Sequence, residues 1–345
     1  MQVTTIGLDL AKHVFQVHGA DREGRAVLRK RLRRGEVEAF FRALPPCLVG
    51  MEACGTAHYW ARLIRSLGHD VRLLPPSYVK AYVKRGKTDA ADAEAICEAV
   101  TRPTMRQVPV KSADQQALLM LHRVRDLLVR QRTALLNATR GHMAEFGIVV
   151  PQGRRRVGDL LALAMDEGET GLPVLARQAL RELAAALEGL DRRIERAEAA
   201  ILAWHKECDA SRRLAAIPGI GPITASAIVA TVGDARQFGS ARHFAAWLGL
   251  VPKQNSSGGK QRQGGISKQG DRYLRRLLVV GATAVIRLAR RGMAKTPSAL
   301  WAHALLERRP TRLVTVALAN KTARIAWALL SRGQAYRKTP LPQAA

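Results

Sequence analysis

Acidic side chains are scarce in this 345-residue chain: 28 Asp and Glu stand against 56 Lys and Arg, a net of +28. A like-charge excess of that size repels itself and favours a polyanionic partner, of which nucleic acid is the economical choice. The shortage is uneven. Residues 201–345 carry 24 bases and 5 acids, a net of +19, whereas residues 1–200 carry 32 and 23, a net of +9. Cysteine is scarce too. Cys47, Cys54, Cys97 and Cys208 show no Cys-x-x-Cys spacing, which argues against a zinc ribbon and a secreted disulfide framework and leaves reduced, mostly buried thiols. No basic-then-apolar leader opens the chain, and the longest apolar run, Leu277 to Ile286, stops at Arg287 well short of a membrane span. The expectation is a cytoplasmic, nucleoid-associated protein that enters no membrane. Hydrophobic residues make up 47% of the chain, which argues against global disorder, and the length suits two or three domains.

Where acids are rare, their pattern carries weight. Lys87-Thr88-Asp89-Ala90-Ala91-Asp92-Ala93 places two carboxylates three residues apart, on one face of a helix. Thr88 suits the N-cap, and Asp89 and Asp92 then sit at the positive helix end, where they stay ionised. An ordinary capped, acidic first turn reads the same way by itself. Two further acids change the reading: Val3 to Asp9 and Cys47 to Glu52 each read as a strand finishing on an acid. Between and after them come strands at Val14 to Val17 and Ala26 to Leu28 around an Asp21-to-Gly24 turn, a helix from Glu36 to Leu44, a helix from Ala57 to Leu67 and a strand from Asp70 to Leu74. The order is βββαβαβα, with an antiparallel meander first. Mixed α/β sheets place their sites outside the carboxyl ends of strands, so Asp9 and Glu52 are expected side by side with Asp89 and Asp92 above them. Four gathered carboxylates call for cations. Magnesium, with manganese as the alternative, takes oxygen ligands, and paired ions about 4 Å apart serve phosphodiester transfer. Lys12, just after Asp9, suits a phosphate, with a solvated lysine as the plain alternative.

From Ala113 to Met143 the spacing predicts a helix with Leu121, Val124, Leu128 and Leu135 on one side and arginines on the other. Pro151 to Arg156 is a basic break. A second helix carries Leu180, Leu183, Leu187, Leu190, Ile194, Ala197 and Ile201, a heptad seam that needs a partner, either the first helix or the seam of a second subunit. Leu214 to Ala225 then has the text of a helix-hairpin-helix: Gly219 and Gly221 allow a tight turn, and the amides opening the next helix face a phosphate.

After a helix from Phe238 to Leu250 comes the polar stretch Val251 to Lys268, whose composition suits a flexible linker. It nevertheless lies between packed helices and sets Ser256 and Ser257 beside Lys260 and Arg262. A serine hydroxyl needs help to lose its proton, and nearby cations supply it. Lys268, Arg272, Arg275 and Arg276, with Tyr273, form a basic start to a helix whose Leu274, Leu277 and Leu278 pack inward; these bases are assigned to phosphate contacts. Pro340 to Ala345 reads as a loose tail.

The strand order and acid order resemble the ribonuclease-H-like nucleases of the RuvC type. Gly7-Leu8-Asp9-Leu10-Ala11-Lys12, Met51-Glu52-Ala53-Cys54-Gly55 and the Lys87-to-Ala93 text look more narrowly like the Asp-Glu-Asp-Asp domain of the IS110-type transposases. Pro252 to Lys268, with the preceding hairpin and the following Asp271 to Leu278, resembles the transposase domain of that family in its IS1111-like branch. The resemblance implies that Ser257, with Ser256 as the alternative, is a covalent nucleophile on DNA, supported by metal on Asp9, Glu52, Asp89 and Asp92. It implies a structured bridging RNA that pairs with target and donor DNA, and recombination calls for a homo-oligomer, dimer or tetramer. The expected layout is a RuvC-like α/β domain over 1–112, a helical coiled-coil linker over 113–205, a mainly α transposase domain over 206–335 and a tail over 336–345. The expected activity is site-specific DNA recombination. Two rivals are a metal-dependent, junction-resolving endonuclease that needs only the acids, and a non-catalytic nucleic-acid-binding scaffold.

Overall fold

Strands open the chain because β-branched and apolar residues alternate there with residues that face the other way. The computed structural model describes residues 2–337 apart from 85, 87, 150, 152–157, 159–161, 163–171 and 294–295. Lys87, most of the Pro151-to-Arg156 break and the tail beyond residue 337 lie outside the described residues. Two compact units result, 1–114 and 115–345.

The first unit runs β1 (Thr5–Asp9), β2 (Val14–Ala20), β3 (Ala26–Arg33), α1 (Val37–Ala43), β4 (Leu48–Glu52), α2 (Ala57–Ser66), β5 (Asp70–Leu74), α3 (Pro76–Val79) and α4 (Asp89–Val100). The sheet order is β3-β2-β1-β4-β5. Its first three strands are antiparallel, and β4 and β5 are parallel to β1. This mixed sheet is consistent with a ribonuclease-H-like domain. On one face Ile6, Leu8, Phe15, Val17, Leu32, Val49 and Met51 pack against Phe41, Trp60 and Ile64 of α1 and α2. Each such buried side chain is worth about 1.5–3 kcal/mol against exposure. β2 and β3 extend beyond the lengths expected from sequence, because hairpin pairing continues through the polar Arg29–Arg31 segment to the buried Leu32.

The other face is covered by α4, and two glycines let it approach. A Cβ on Gly7 would lie 2.1 Å from the Ala93 carbonyl oxygen, and one on Gly50 would lie 2.7 Å from Val100 Cβ. Alanines at 93, 95 and 99 complete the close contact. The N-terminus of α4 is thereby set over the ends of β1 and β4.

The second unit contains α5 (Ala113–Ala144, whose first two residues lie in the first unit), α6 (Val174–Glu207), α7 (Asp209–Ala215), α8 (Pro222–Val232), α9 (Ala241–Trp247), the hairpin β6 (Pro252–Gln254) and β7 (Gln263–Ile266), α10 (Arg272–Arg290), α11 (Pro297–Leu306) and α12 (Thr311–Arg332). α5 and α6 lie antiparallel, joined by Arg125–Glu198 at 2.6 Å and Arg132–Asp191 at 2.8 Å. Leu180, Leu187, Leu190, Ile194, Ala197 and Ile201 are buried on α6, so α5 of the same chain covers this seam. Val124, expected on the apolar side of α5, is 43% exposed, while His122 is buried in its place. His122 lies 3.1 Å from both Ser226 Oγ and Tyr273 Oη. Ser226 Oγ donates to the Pro222 carbonyl, so the imidazole is read as donating from Nε2 to Ser226 and accepting from Tyr273 at Nδ1. Burial pushes this histidine down to about 4, so it is neutral and ties α5, α8 and α10 together.

Among the described residues α12 has the length and apolarity of a membrane span. Its Val314, Leu318, Ala319, Ala323 and Ala326 are buried in the core formed with α8 and α10. The four cysteines are free, but only Cys47 and Cys97 are buried; Cys54 is exposed beside Glu52 and Cys208 is partly covered, which corrects the expectation of mostly buried thiols.

Candidate metal centre and serine hairpin

The acid site follows from strand register. β1 and β4 are parallel with Leu8 opposite Met51, so Asp9 and Glu52, the next residues, end neighbouring strands on the α4 face, about 4.8 Å apart along the sheet. Thr88 caps α4 as the sequence indicated: its backbone is extended and its Oγ1 accepts from the Ala91 amide at 3.2 Å. That cap starts the helix at Asp89 and puts Asp92 one turn further on. Asp9, Asp89 and Asp92 each offer a carboxylate oxygen within 4.8 Å of the others. Glu52 stands beside this trio: its carboxyl is pushed up by burial and by Asp92. Asp9 is raised from its ordinary 3.8 to about 6, first by burial, then by Asp92, Asp89 and Glu52. Such mutual repulsion among all-oxygen donors is relieved by a hard divalent cation, so the donor set fits one. Lys12 is exposed just past the end of β1.

The polar, glycine-rich stretch expected as a serine-bearing loop between helices is a β-hairpin. β6 and β7 are antiparallel, and the ladder extends through Asn255 N to Arg262 O at 2.9 Å and Lys260 N to Ser257 O at 3.1 Å. Gly258 and Gly259 both have positive φ, 55° and 75°, which is the mirror-image turn that suits strand twist. Ser257 therefore occupies the residue before the turn. It lines a cavity of about 440 Å³ with Asn255, Lys260, Arg262, Gln263 and Gly264, a lining that does not include Ser256.

The base of the hairpin is fixed more tightly than its tip. Lys268 N donates to Gly249 O and Ser267 N to Val251 O. A Cβ on Gly270 would lie 1.8 Å from the Trp247 carbonyl oxygen, and one on Gly249 would lie 2.2 Å from that of Gln269. Arg275, assigned to phosphate by sequence, donates to the carbonyls of Leu248 at 2.8 Å and Gln269 at 2.7 Å. Arg276 pairs with Asp126 and lies over the Tyr273 ring. Arg272, Lys260, Arg262 and Lys268 are exposed. Gly219, in the turn between α7 and α8, has φ +88° and presses backbone to backbone on Gly281 of α10, while Gly221 precedes α8 in open space. Sequence reasoning missed the hairpin, the glycines at 7 and 50, and the bracing role of Arg275. The first two left a trace, in Gly258-Gly259 and in Gly-x-Asp and Gly-x-Glu; Arg275 left none.

Two family models match the chain. One, for the Asp-Glu-Asp-Asp transposases of IS110 elements and described as a transposase, covers residues 6–148. The other, described as the transposase IS116/IS110/IS902 family, covers residues 211–296. A probable family 20 transposase of Pseudomonas aeruginosa is 57% identical over 98% of this chain and 99% of its own length. The chain belongs to the IS110 family of transposases. Family relatives include the transposase for insertion sequence element IS1328 of Yersinia enterocolitica, 42% identical over 97% of this chain and 99% of its own length. Another is that for IS1111A of Coxiella burnetii, 40% identical over 97% and 92%. Membership makes this an enzyme of DNA transposition and recombination, with DNA as a partner. The first model contains all four acids and the second contains Ser257. An Asp-Glu-Asp-Asp domain with a converging acid trio indicates divalent-metal use.

Proposed function

We propose that this chain cuts and rejoins DNA through a serine phosphodiester, with Ser257 as the nucleophile and Asp9, Glu52, Asp89 and Asp92 as the magnesium ligands. The observation that carries the reading is the convergence of Asp9, Asp89 and Asp92 oxygens within 4.8 Å. The metal, when bound, neutralises charge on the phosphate and its leaving oxygen. Ser257 Oγ attacks phosphorus, a bond to one deoxyribose oxygen breaks, the serine proton passes to water and the departing oxygen takes one up. Lys260 and Arg262, which share the Ser257 cavity, offset the added negative charge. Because the ester keeps the bond energy, a second strand's hydroxyl restores a DNA linkage and releases the serine without ATP. The chemistry calls for acids and serine on one phosphate, supplied by one chain or by different subunits of a homo-oligomer.

A chain this basic has ample means to grip the phosphate backbone, whose contacts carry no sequence information directly. Sequence choice is assigned, as the family resemblance implies, to a structured bridging RNA. The turn between α7 and α8 is assigned, as a helix-hairpin-helix, to a backbone phosphate through the amides that follow Gly221. The test is to quench a magnesium-containing reaction with denaturant. Wild type and Ser256→Ala are expected to form a protein–DNA adduct, and Ser257→Ala and Asp92→Asn are not. If Ser257→Ala still cuts DNA with water as the nucleophile, the chain is a hydrolytic nuclease.

A further inference from the structure

On the sheet face beneath α4, strand register extends the acid site sideways. Asp9 of β1 lies opposite Gln16 of β2, and Gln16 lies opposite Arg31 of β3. The neighbouring rows end on β3 at Arg29, opposite His18, and at Arg33, opposite Val14. All three arginines are exposed on the outer strand. Between this face and α4 lies a groove of about 380 Å³ lined by Gln16, His18, Arg29, Arg31, Thr88 and Glu94. It shares His18, Arg29 and Glu94 with a larger cavity of about 830 Å³ that adds Tyr82 and Lys84. Thr88, at the head of the smaller groove, is the residue immediately before Asp89.

The charges in the smaller groove favour an anion, whereas the larger cavity balances Arg22, Arg29, Lys84 and Arg102 against Asp21, Glu23, Glu94 and Glu98. Glu94, the one acid lining the smaller groove, is already paired with Lys84 at 2.6 Å. His18 is held neutral-leaning, its ordinary value lowered by burial. Alternate residues on a strand repeat every ~6.7 Å, a step that an unstacked nucleotide can match, so Arg29, Arg31 and Arg33 can each meet one phosphate. Edge strands also carry charge to resist pairing with other chains, but that role needs no groove lined by Thr88 and Ala90, the neighbours of Asp89.

We propose that β3 is the track for the DNA strand to be cut, with Arg29, Arg31 and Arg33 on successive phosphates and the β3–α4 groove delivering the strand to the acid cluster. This rests on the transposase reading above and adds where the substrate runs. The occupant is a single, unpaired strand, because a groove of about 380 Å³ between β3 and α4 takes one backbone and not a duplex.

The test uses the full chain in EDTA, so that no cleavage occurs, and a fluorescent single-stranded DNA of about 20 nucleotides, long enough to span such a groove. The triple variant Arg29→Gln, Arg31→Gln, Arg33→Gln is expected to bind about tenfold more weakly at low salt. Its plot of log affinity against log salt should be shallower by about 2, since each single-strand phosphate contact contributes about 0.7. A charge-matched triple away from the groove, Arg42→Gln, Arg72→Gln, Arg106→Gln, is expected to keep the slope. Equal losses in the two triples, an unchanged slope in the first, or a loss seen with RNA of the same sequence and not with DNA would each overturn the track. These outcomes are independent of adduct formation. A lost adduct with the slope change intact sinks the serine chemistry alone, and the reverse sinks the track alone.

Discussion

The acid site and the serine hairpin are built in opposite ways. Asp9 and Glu52 end buried strands, and a helix pressed onto Gly7 and Gly50 brings Asp89 and Asp92 to them. From Lys253 to Gly265 every hairpin residue is exposed, and its order comes from the turn at Gly258-Gly259 and the clamp at Gly249, Gly270 and Arg275. The contrast teaches a division of labour. Repelling carboxylates need a rigid core to hold them together, whereas the hairpin that carries the proposed nucleophile stands clear of the core and is fixed only at its root.

Substitutions can break this contrast. Gly7→Ala should have the largest effect: its Cβ meets backbone on α4 at 2.1 Å, so urea unfolding is expected to show a loss of about 3 kcal/mol, with cleavage abolished. Arg275→Ala should cost about 2 kcal/mol by the same measurement, because two carbonyls lose a charged donor. Arg272→Ala, an exposed neighbour, should stay within about 0.5 kcal/mol.

The acid site should also be unstable in its own right. The folded Asp9 carboxyl holds its proton at about 6 against an ordinary 3.8. Its contribution to metal-free stability is therefore fully present below about pH 4 and is withdrawn as pH rises through about 6. Asp9→Asn cannot ionise. In EDTA at pH 7.5 it is expected to be more stable than wild type by about 1 kcal/mol, a figure already discounted for the site's partial exposure, and the gain should vanish below about pH 4. At the small end, Gly265→Ala in the hairpin, with open space around its Cβ, should shift stability by less than about 0.5 kcal/mol. A loss of 2 kcal/mol there would show a hairpin as tightly packed as the acid site and erase the comparison.

Much of the first unit was legible because its signals are local. The strand ends at Asp9 and Glu52, the Thr88 cap and the helix after it can each be read from fewer than ten residues. The limits of β2 and β3 were not, since pairing through Arg29–Arg31 is decided by the opposite strand. In the second unit the long helices α5 and α6 announced themselves by period, but Val124 faces outward because α5 turns His122 inward, toward Ser226 and Tyr273 more than 100 residues away. The hairpin was masked by composition: Lys253 to Gly265 has no apolar alternation, and only the paired glycines marked the turn. Arg275 looked like a phosphate ligand because its carbonyl partners, Leu248 and Gln269, are chosen by the folded backbone alone.

The central claim, a covalent bond from Ser257 to DNA phosphorus, can be read directly by mass spectrometry. After a quenched magnesium reaction, nuclease digestion and trypsin, the peptide from Gln254 to Lys260 should carry a nucleotide remnant, and fragmentation should place it on Ser257. A fully unmodified peptide in a reaction that has cut DNA, or a remnant on Ser256, would contradict the account.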